Sequence, residues 1–404
     1  MPESPLSVSN ESILKQPIAV WAVFFAGIIA FMGMGLVNPI LRELAHQLNA
    51  APSEVTLLFT SYNAIMAFAM LITGTVSSRL GLKGTLLLGI VIIAIVSGFA
   101  ASAESIWTLV GLRGGWGLGN ALFVATALTS IIVLSTGAPA KAIILYEAAV
   151  GLGISIGPLV GGTLGSISWR APFVGVSVLM AVAFLVLIIL MPKAAKKDGK
   201  PSASKPTSIL APFKTMRHRS LLTFGIVAAF YNVGFFTIMA FAPLVMGLKP
   251  QGMGYVFLGW GSLLAVTSVF MAPKLQKRFG IIKPMAFMLL LFVLDLLVMG
   301  IFTSNQWVVI GAVIFAGALL GNNNTLITTA VMGAAPVERA TASAAYSFLR
   351  FLGAAVAPYM AGKLSEIFNP HVPFYVASAF VLLAIAYIFA NHKHIRHVDD
   401  LEAH

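Results

Sequence analysis

Cysteine is absent from the 404 residues, which excludes disulfides and thiolate metal sites and leaves the compartment open. Charge is scarce as well. Lys, Arg, Asp and Glu together make up 9% of the chain, against roughly 25% in soluble domains, so a soluble globular protein is excluded. The low hydrophobicity that keeps a disordered chain unfolded is also missing, since 59% of residues are apolar and the mean hydropathy is +0.95. Acidic residues number only 13 against 25 basic ones. The resulting charge of +12 does not read as nucleic-acid binding, because the basic residues lie in short segments between apolar runs and so mark topology. What the chain does have is a succession of apolar runs, each long enough to cross a hydrocarbon core about 30 Å thick.

These runs predict twelve spans. The first six lie near 17 to 41, 54 to 76, 83 to 102, 105 to 135, 141 to 166 and 171 to 191. The second six lie near 220 to 246, 253 to 274, 283 to 303, 306 to 334, 340 to 364 and 372 to 391. The first run exceeds the apolar region of a secretory leader and ends in Arg42 and Glu43 without a small-x-small cleavage pattern, so it is expected to be a span. Segment 192–219 carries eight Lys or Arg against one Asp, with KPSASKPTS at its centre, and reads as a hydrophilic linker between two six-helix halves, 17–191 and 220–391. Residues 1–16 and 392–404 form the ends.

Four basic residues (Arg42, Arg170, Lys249 and Lys363) fall in one set of connections, and Arg113 and Arg350 lie within spans; the other nineteen share the side of the linker. That bias predicts a multi-pass protein of the cytoplasmic membrane with both termini and the linker in the cytoplasm. In this cysteine-free chain, a thiol introduced as Ser202→Cys is expected to react with an impermeant reagent only after the membrane is opened, and Asn305→Cys in intact cells. The reverse pattern would invert the topology.

The two halves repeat each other. YEAAVGLGISIGPLVGGTL (146–164) laid over YSFLRFLGAAVAPYMAGKL (346–364) matches Tyr146, Leu152, Gly153, Pro158, Gly162 and Leu164 with Tyr346, Leu352, Gly353, Pro358, Gly362 and Leu364 at a constant offset of 200. RLGLK, with Arg79, Gly81 and Lys83, likewise echoes RFGIIK, with Arg278, Gly280 and Lys283. Parallel repeats of this kind are related by an axis along the membrane normal.

On these features the chain resembles the major facilitator superfamily, and within it the twelve-helix drug/proton antiporters, from about Pro17 to Asn391. GTVSSRLGLKG (74–84), with Gly74, Arg79, Gly81 and Lys83, is similar to the family's loop signature, although Ser78 stands where the signature has Asp. LVGLRGGWGLGNA in span 4 places Arg113, Gly117 and Gly119 at the family's positions, with Trp116 in place of its usual Gln. Gly153, Gly157, Pro158, Gly161 and Gly162 in span 5 match every fixed position of the family's antiporter pattern. The resemblance implies an all-α membrane protein of the major facilitator fold, with twelve transmembrane helices in two pseudo-symmetric halves. It also implies export of small amphipathic molecules by alternating access against inward proton flow. A metabolite-specific symporter or facilitator, or a lipid exporter, is the alternative within the superfamily. A membrane enzyme is not expected, since no cluster of carboxylates, histidines or metal ligands marks a membrane surface.

Ionisable groups in hydrocarbon cost roughly 2.5 to 3.5 kcal/mol each, so those within the spans call for an explanation. They are Arg113, Glu147, Asp295 and Arg350. A carboxyl group in an apolar site holds its proton more tightly than in water, which suits a proton-coupled cycle. Glu147 is the first candidate, Asp295 the second, and Arg113 takes its part in proton transfer from the family resemblance; a permanently paired structural charge is the other reading of each. Counted by depth, Asp295 and Arg350 come level and are expected to pair. In this family helices 1, 4, 7 and 10 line the central cavity, which nominates Met32, Trp116, Asn120, Tyr231, Asn232, Asn322 and Asn323 as its wall, with helix-to-helix hydrogen bonding as the alternative role. No cofactor and no metal is expected. The expected partners are membrane lipid, a small amphipathic substrate and protons, without nucleic acid, and the expected state is a monomer.

Overall fold

A computed structural model describes residues 16–136, 139–192, 211–334 and 339–400; most of the linker and Ser202 lie outside this range. Among the described residues every regular element is helical. Ten helices are long and apolar enough to cross a membrane. One of these, Pro52–Ala101, has 50 residues, and Gly81 breaks it with φ 72° and ψ 170°. That positive φ is open to glycine at little cost, so the sequence reverses direction there and supplies two spans. A further helix, Arg339–Ile367, carries Arg350 and a run of small residues, which lowers its hydropathy below that of its neighbours. Together they make twelve.

We number the spans α1 (Ile18–Gly35), α2 (52–80), α3 (82–101), α4 (Ile106–Leu134), α5 (Pro139–Gly165), α6 (Ala171–Leu190), α7 (Arg219–Ala240), α8 (Pro250–Phe279), α9 (Ile282–Ile301), α10 (Gln306–Gly333), α11 (Arg339–Ile367) and α12 (Val372–Ala390). Two hydrophobic cores form, one from residues 20–191 with Ala240 and the other from residues 221–398. Large apolar side chains point outward all round the bundle, among them Phe99, Ile189, Phe270 and Phe389. Burial in water-excluded lipid, not in protein, satisfies these faces.

The sequence repeat is also a repeat of contacts. A Cβ on Gly153 of α5 would stand 2.6 Å from the Ile28 carbonyl of α1, and one on Gly353 of α11 would strike the Ala229 carbonyl of α7. Gly162 lies against Pro250 and Gly254 of α8, as Gly362 lies against Ser53 and Thr56 of α2. Gly280, at φ 76°, turns the chain before α9 as Gly81 does before α3. The α5/α8 and α2/α11 seams therefore join the halves in equivalent ways.

Hydrogen bonds across the halves gather at the end opposite the chain termini. There Ser53 N–H donates to Glu366 (2.7 Å), and the Asn38 amide to the Met239 sulfur (3.2 Å). At the termini end the hydrogen bonds lie within each half, while Phe68 of α2 meets Phe348 of α11 across the halves. Lys83 Nζ donates to the last carbonyls of α6, Ile188 (2.9 Å) and Met191, a favourable place for a cation. In the second half a tail residue, Asp399, accepts from the first N–H groups of α9, Ile281 (2.6 Å) and Ile282 (3.1 Å). Ser78 donates only to Thr75 of its own helix (2.8 Å), and Arg79 is exposed. A Cβ on Gly74 would meet nothing within 4 Å.

Candidate functional site

The span-5 glycines line up on two faces of α5. Gly153, Gly157 and Gly161 face the backbone of α1 at Ile28, Met32 and Leu36, with spacings of four on both sides. Ridges of equal period allow this close approach, and any side chain larger than hydrogen would collide with main chain. On the adjacent face the Pro158 carbonyl and Gly162 meet Gly254 of α8, Ser155 meets Gly261, and Gly151 meets Ala265. Span 5 is thus wedged between its own half and the other. Glu147 lies one turn beyond Gly151 on this second face, and its side chain is exposed. Just past Ala265, α8 adopts a π-helical turn, Thr267–Met271, a local widening often found where helices serve a function.

Arg113 is 1% exposed and lies between two rings, its guanidinium carbon 4.6 Å from the centroids of both Tyr62 and Trp116. Desolvated cation–π contacts of this kind stabilise by roughly 2 kcal/mol each. Nη1 also donates to the Gly33 carbonyl at 3.3 Å, whereas Nε and Nη2 have no partner. Asn120 donates to the Tyr62 hydroxyl. Tyr62, on α2, was not singled out from the sequence; nothing in its local pattern marks it, because its role depends on α2 packing against α4. Trp116 fills the space that Gly33 leaves open, and Met32 is buried along the α5 seam.

A second polar group occupies the other half. The Tyr231 hydroxyl donates to Asn324 Oδ1 at 2.6 Å. Arg350, half-buried, interacts electrostatically with Tyr231 and Tyr346 of its own half and with Glu147 of the other. Arg350 Nε has no hydrogen-bond partner, and the buried Tyr346 hydroxyl lies among Tyr231, Thr328 and Arg350. The remaining amides are buried within the half. Asn232 donates to Ala228 (2.8 Å), Asn322 donates to Ala318 (2.9 Å), and both amide atoms of Asn323 are unpartnered. The nominated wall residues of both halves therefore sit at 4% exposure or less.

Asp295 and Arg350 do not pair. Asp295 is 7% exposed with Oδ2 unpartnered, and within 4 Å the one ion pair among the described residues is Lys363 with Glu366. Depth along a helix fixes height but not direction: α9 packs on α10 and α12, whereas α11 packs on α2 and α7.

Comparison with known proteins agrees with this architecture. The chain is 50% identical over 383 residues to the multidrug efflux protein YfmO of Bacillus subtilis (strain 168), covering 95% of each. It is 23% identical to the quinolone resistance protein NorA of Staphylococcus aureus (strain COL), over 93% of this chain and 97% of that one. In fold it is similar to a bacterial homolog of the human lysosomal transporter Spinster in an inward-facing, unoccupied conformation, with a TM-score of 0.72 at 16% identity over 94% and 98% of the two chains. The nucleoside transporter NupG gives 0.71 at 12% identity over 92% and 99%. The pattern of the Major Facilitator Superfamily matches residues 23–358. With twelve spans, two repeated halves and this match across most of its length, the chain belongs to the major facilitator superfamily.

Proposed function

We propose that this protein exports small amphipathic, drug-like molecules across the cytoplasmic membrane by alternating access, driven by proton entry, with both termini and the linker inside. The observation that carries the reading is the seat of Glu147: an exposed carboxylate one turn from Gly151 on a glycine-sealed helix that touches both halves. A carrier that rocks its halves about a central site moves such a group between two aqueous sides. The efflux function named for the Bacillus relative supports the direction of transport. Arg113, enclosed by Tyr62 and Trp116, stiffens the first half in this reading. The Tyr231–Asn324 hydrogen bond in this reading holds α7 against α10 on the second half's side of the substrate path.

The test is proton movement in vesicles containing the reconstituted protein. Addition of an amphipathic cation such as ethidium to the side that holds the termini is expected to drive protons toward the substrate-loaded compartment. Protons moving with the compound would mean symport, none moving would mean facilitated diffusion, and flux of labelled lipid in place of dye would mean a lipid exporter.

A further inference from the structure

We propose that the C-terminal tail is a pH-sensitive strap: it ties the termini-end tips of α7, α9 and α10 into one block while His394 is neutral, and it loosens when His394 takes a proton. The strap goes beyond the export reading and does not depend on it.

Two short helical turns follow α12, His392–Ile395 and His397–Asp400, and carry the chain back over the second half. Ile395 and Val398, three residues apart and so on one face, are buried in the second core at 0% and 2% exposure. Asp399 reaches the start of α9, where it accepts from the N–H groups of Ile281 and Ile282. Such N–H groups have no partner within their own helix, and a carboxylate is favourable beside them. Gly280 leaves the space for this seat, since a Cβ there would stand 2.9 Å from the Asp399 carboxyl carbon. His397 Nε2 lies 3.2 Å from the Ala334 carbonyl at the end of α10, the same carbonyl that accepts from the Ser220 hydroxyl of α7. His394 Nε2 lies 3.2 Å from Nη1 of Arg219, the first residue of α7. Three helix tips thus meet one short segment.

The contact at His394 sets the sensitivity. A guanidinium can only donate, so Nε2 must accept and the ring proton must sit on Nδ1. A protonated ring has no acceptor left and sets a second cation against Arg219. His397 differs, because either form of an imidazole can donate to a carbonyl. No carboxylate offsets the new charge within 4 Å, since the one ion pair among the described residues is Lys363 with Glu366. The other titratable groups nearby in sequence to these tips are mostly basic. Arg217 and His218 precede α7, and Lys277, Arg278 and Lys283 flank the α8/α9 turn. The tail itself adds His392, Lys393, Arg396 and His397 beside Asp399 and Asp400, while α10 ends in the neutral Ala334. His394 and Arg219 are both exposed, so protons reach them from solvent. In the export reading protons enter on this side, and the strap loosens where they arrive.

The experiment is hydrogen exchange of the full-length protein in lipid nanodiscs, in low salt and without substrate, at pH 5.5 and pH 7.5, either side of the ordinary histidine value of about 6.5. Exposure times are matched for intrinsic exchange, and peptides from the first half serve as the internal reference. In wild type the peptide covering 278–286 is expected to exchange about two- to fivefold faster at pH 5.5, the size set by one exposed charged contact. H394Q, whose amide oxygen can accept from Arg219 at either pH, is expected to exchange slowly at both. H394K, with a permanent cation in the same place, is expected to exchange fast at both, as is D399N, which weakens the seat on α9. A wild type without the pH difference, an H394Q protein that retains it, or a D399N protein with wild-type exchange at 278–286 overturns the proposal. The readout needs neither compound nor gradient, so it stands apart from transport. Proton-driven export by a protein lacking the difference would sink the strap alone, and the difference in a protein that moves no protons would sink the antiport reading alone.

Discussion

Glu147→Gln is expected to abolish uphill export driven by a pH gradient, bringing accumulation to that of empty vesicles, while flux down the compound's own gradient persists. Deep within the spans the carboxyl groups are Glu147 and Asp295. Asp295 is buried in the second half and makes no ion pair among the described residues. Glu147 is exposed on a helix that touches both halves. Glutamine keeps its shape and mimics the protonated state permanently, so binding survives and its pH dependence does not. Measurement of export against a concentration gradient in vesicles, with and without an imposed pH difference, decides the matter. Gradient-driven export at the wild-type rate by this variant would move the role to Asp295.

Gly157→Leu is expected to abolish transport while the protein still inserts. A Cβ at this position would stand 2.5 Å from the Met32 carbonyl oxygen and 3.1 Å from its Cα. Both are main-chain atoms of α1 and cannot turn aside as a side chain would. Overpacking a tight contact costs typically about 1 to 3 kcal/mol, and the rest of the leucine side chain must also be placed where the seam has no space, so α5 has to separate from α1. Hydropathy rises, and insertion should not suffer. Gly111→Ala is the control, because a Cβ there meets nothing within 4 Å. Transport by the Gly157→Leu variant is followed by dye export and its insertion by membrane yield. Wild-type export would mean that this seam is not needed in the transport cycle.

The fold was largely legible because hydropathy, the offset of 200 and the span-5 glycines are all written along the chain. The α2/α3 reversal was legible through Gly81, a residue whose conformation the turn requires. Span 11 was harder to see by apolar content alone, since Arg350 and its small neighbours dilute it. Side-chain pairing was legible only in part. Counting residues gave Asp295 and Arg350 equal depth, but which way each points depends on how α9 and α11 pack, and that information is shared among several helices. Tyr62 escaped notice for the same reason, as did the meeting of Arg350 with Tyr346, whose match to Tyr146 was visible but whose surroundings were not. The wall residues nominated from helix number are all buried, and helix number alone does not state which face of each helix lines a cavity.

Gly162 meets Gly254 and Gly362 meets Ser53 at equivalent heights on opposite flanks of the bundle. Two fulcra so placed restrict rigid halves to tilting about the line that joins them. Glu147 lies fifteen residues from Gly162 along α5, a lever arm of roughly 22 Å. A tilt of about ten degrees moves the main-chain contacts at the fulcra very little, yet it sweeps the carboxylate through roughly 4 Å.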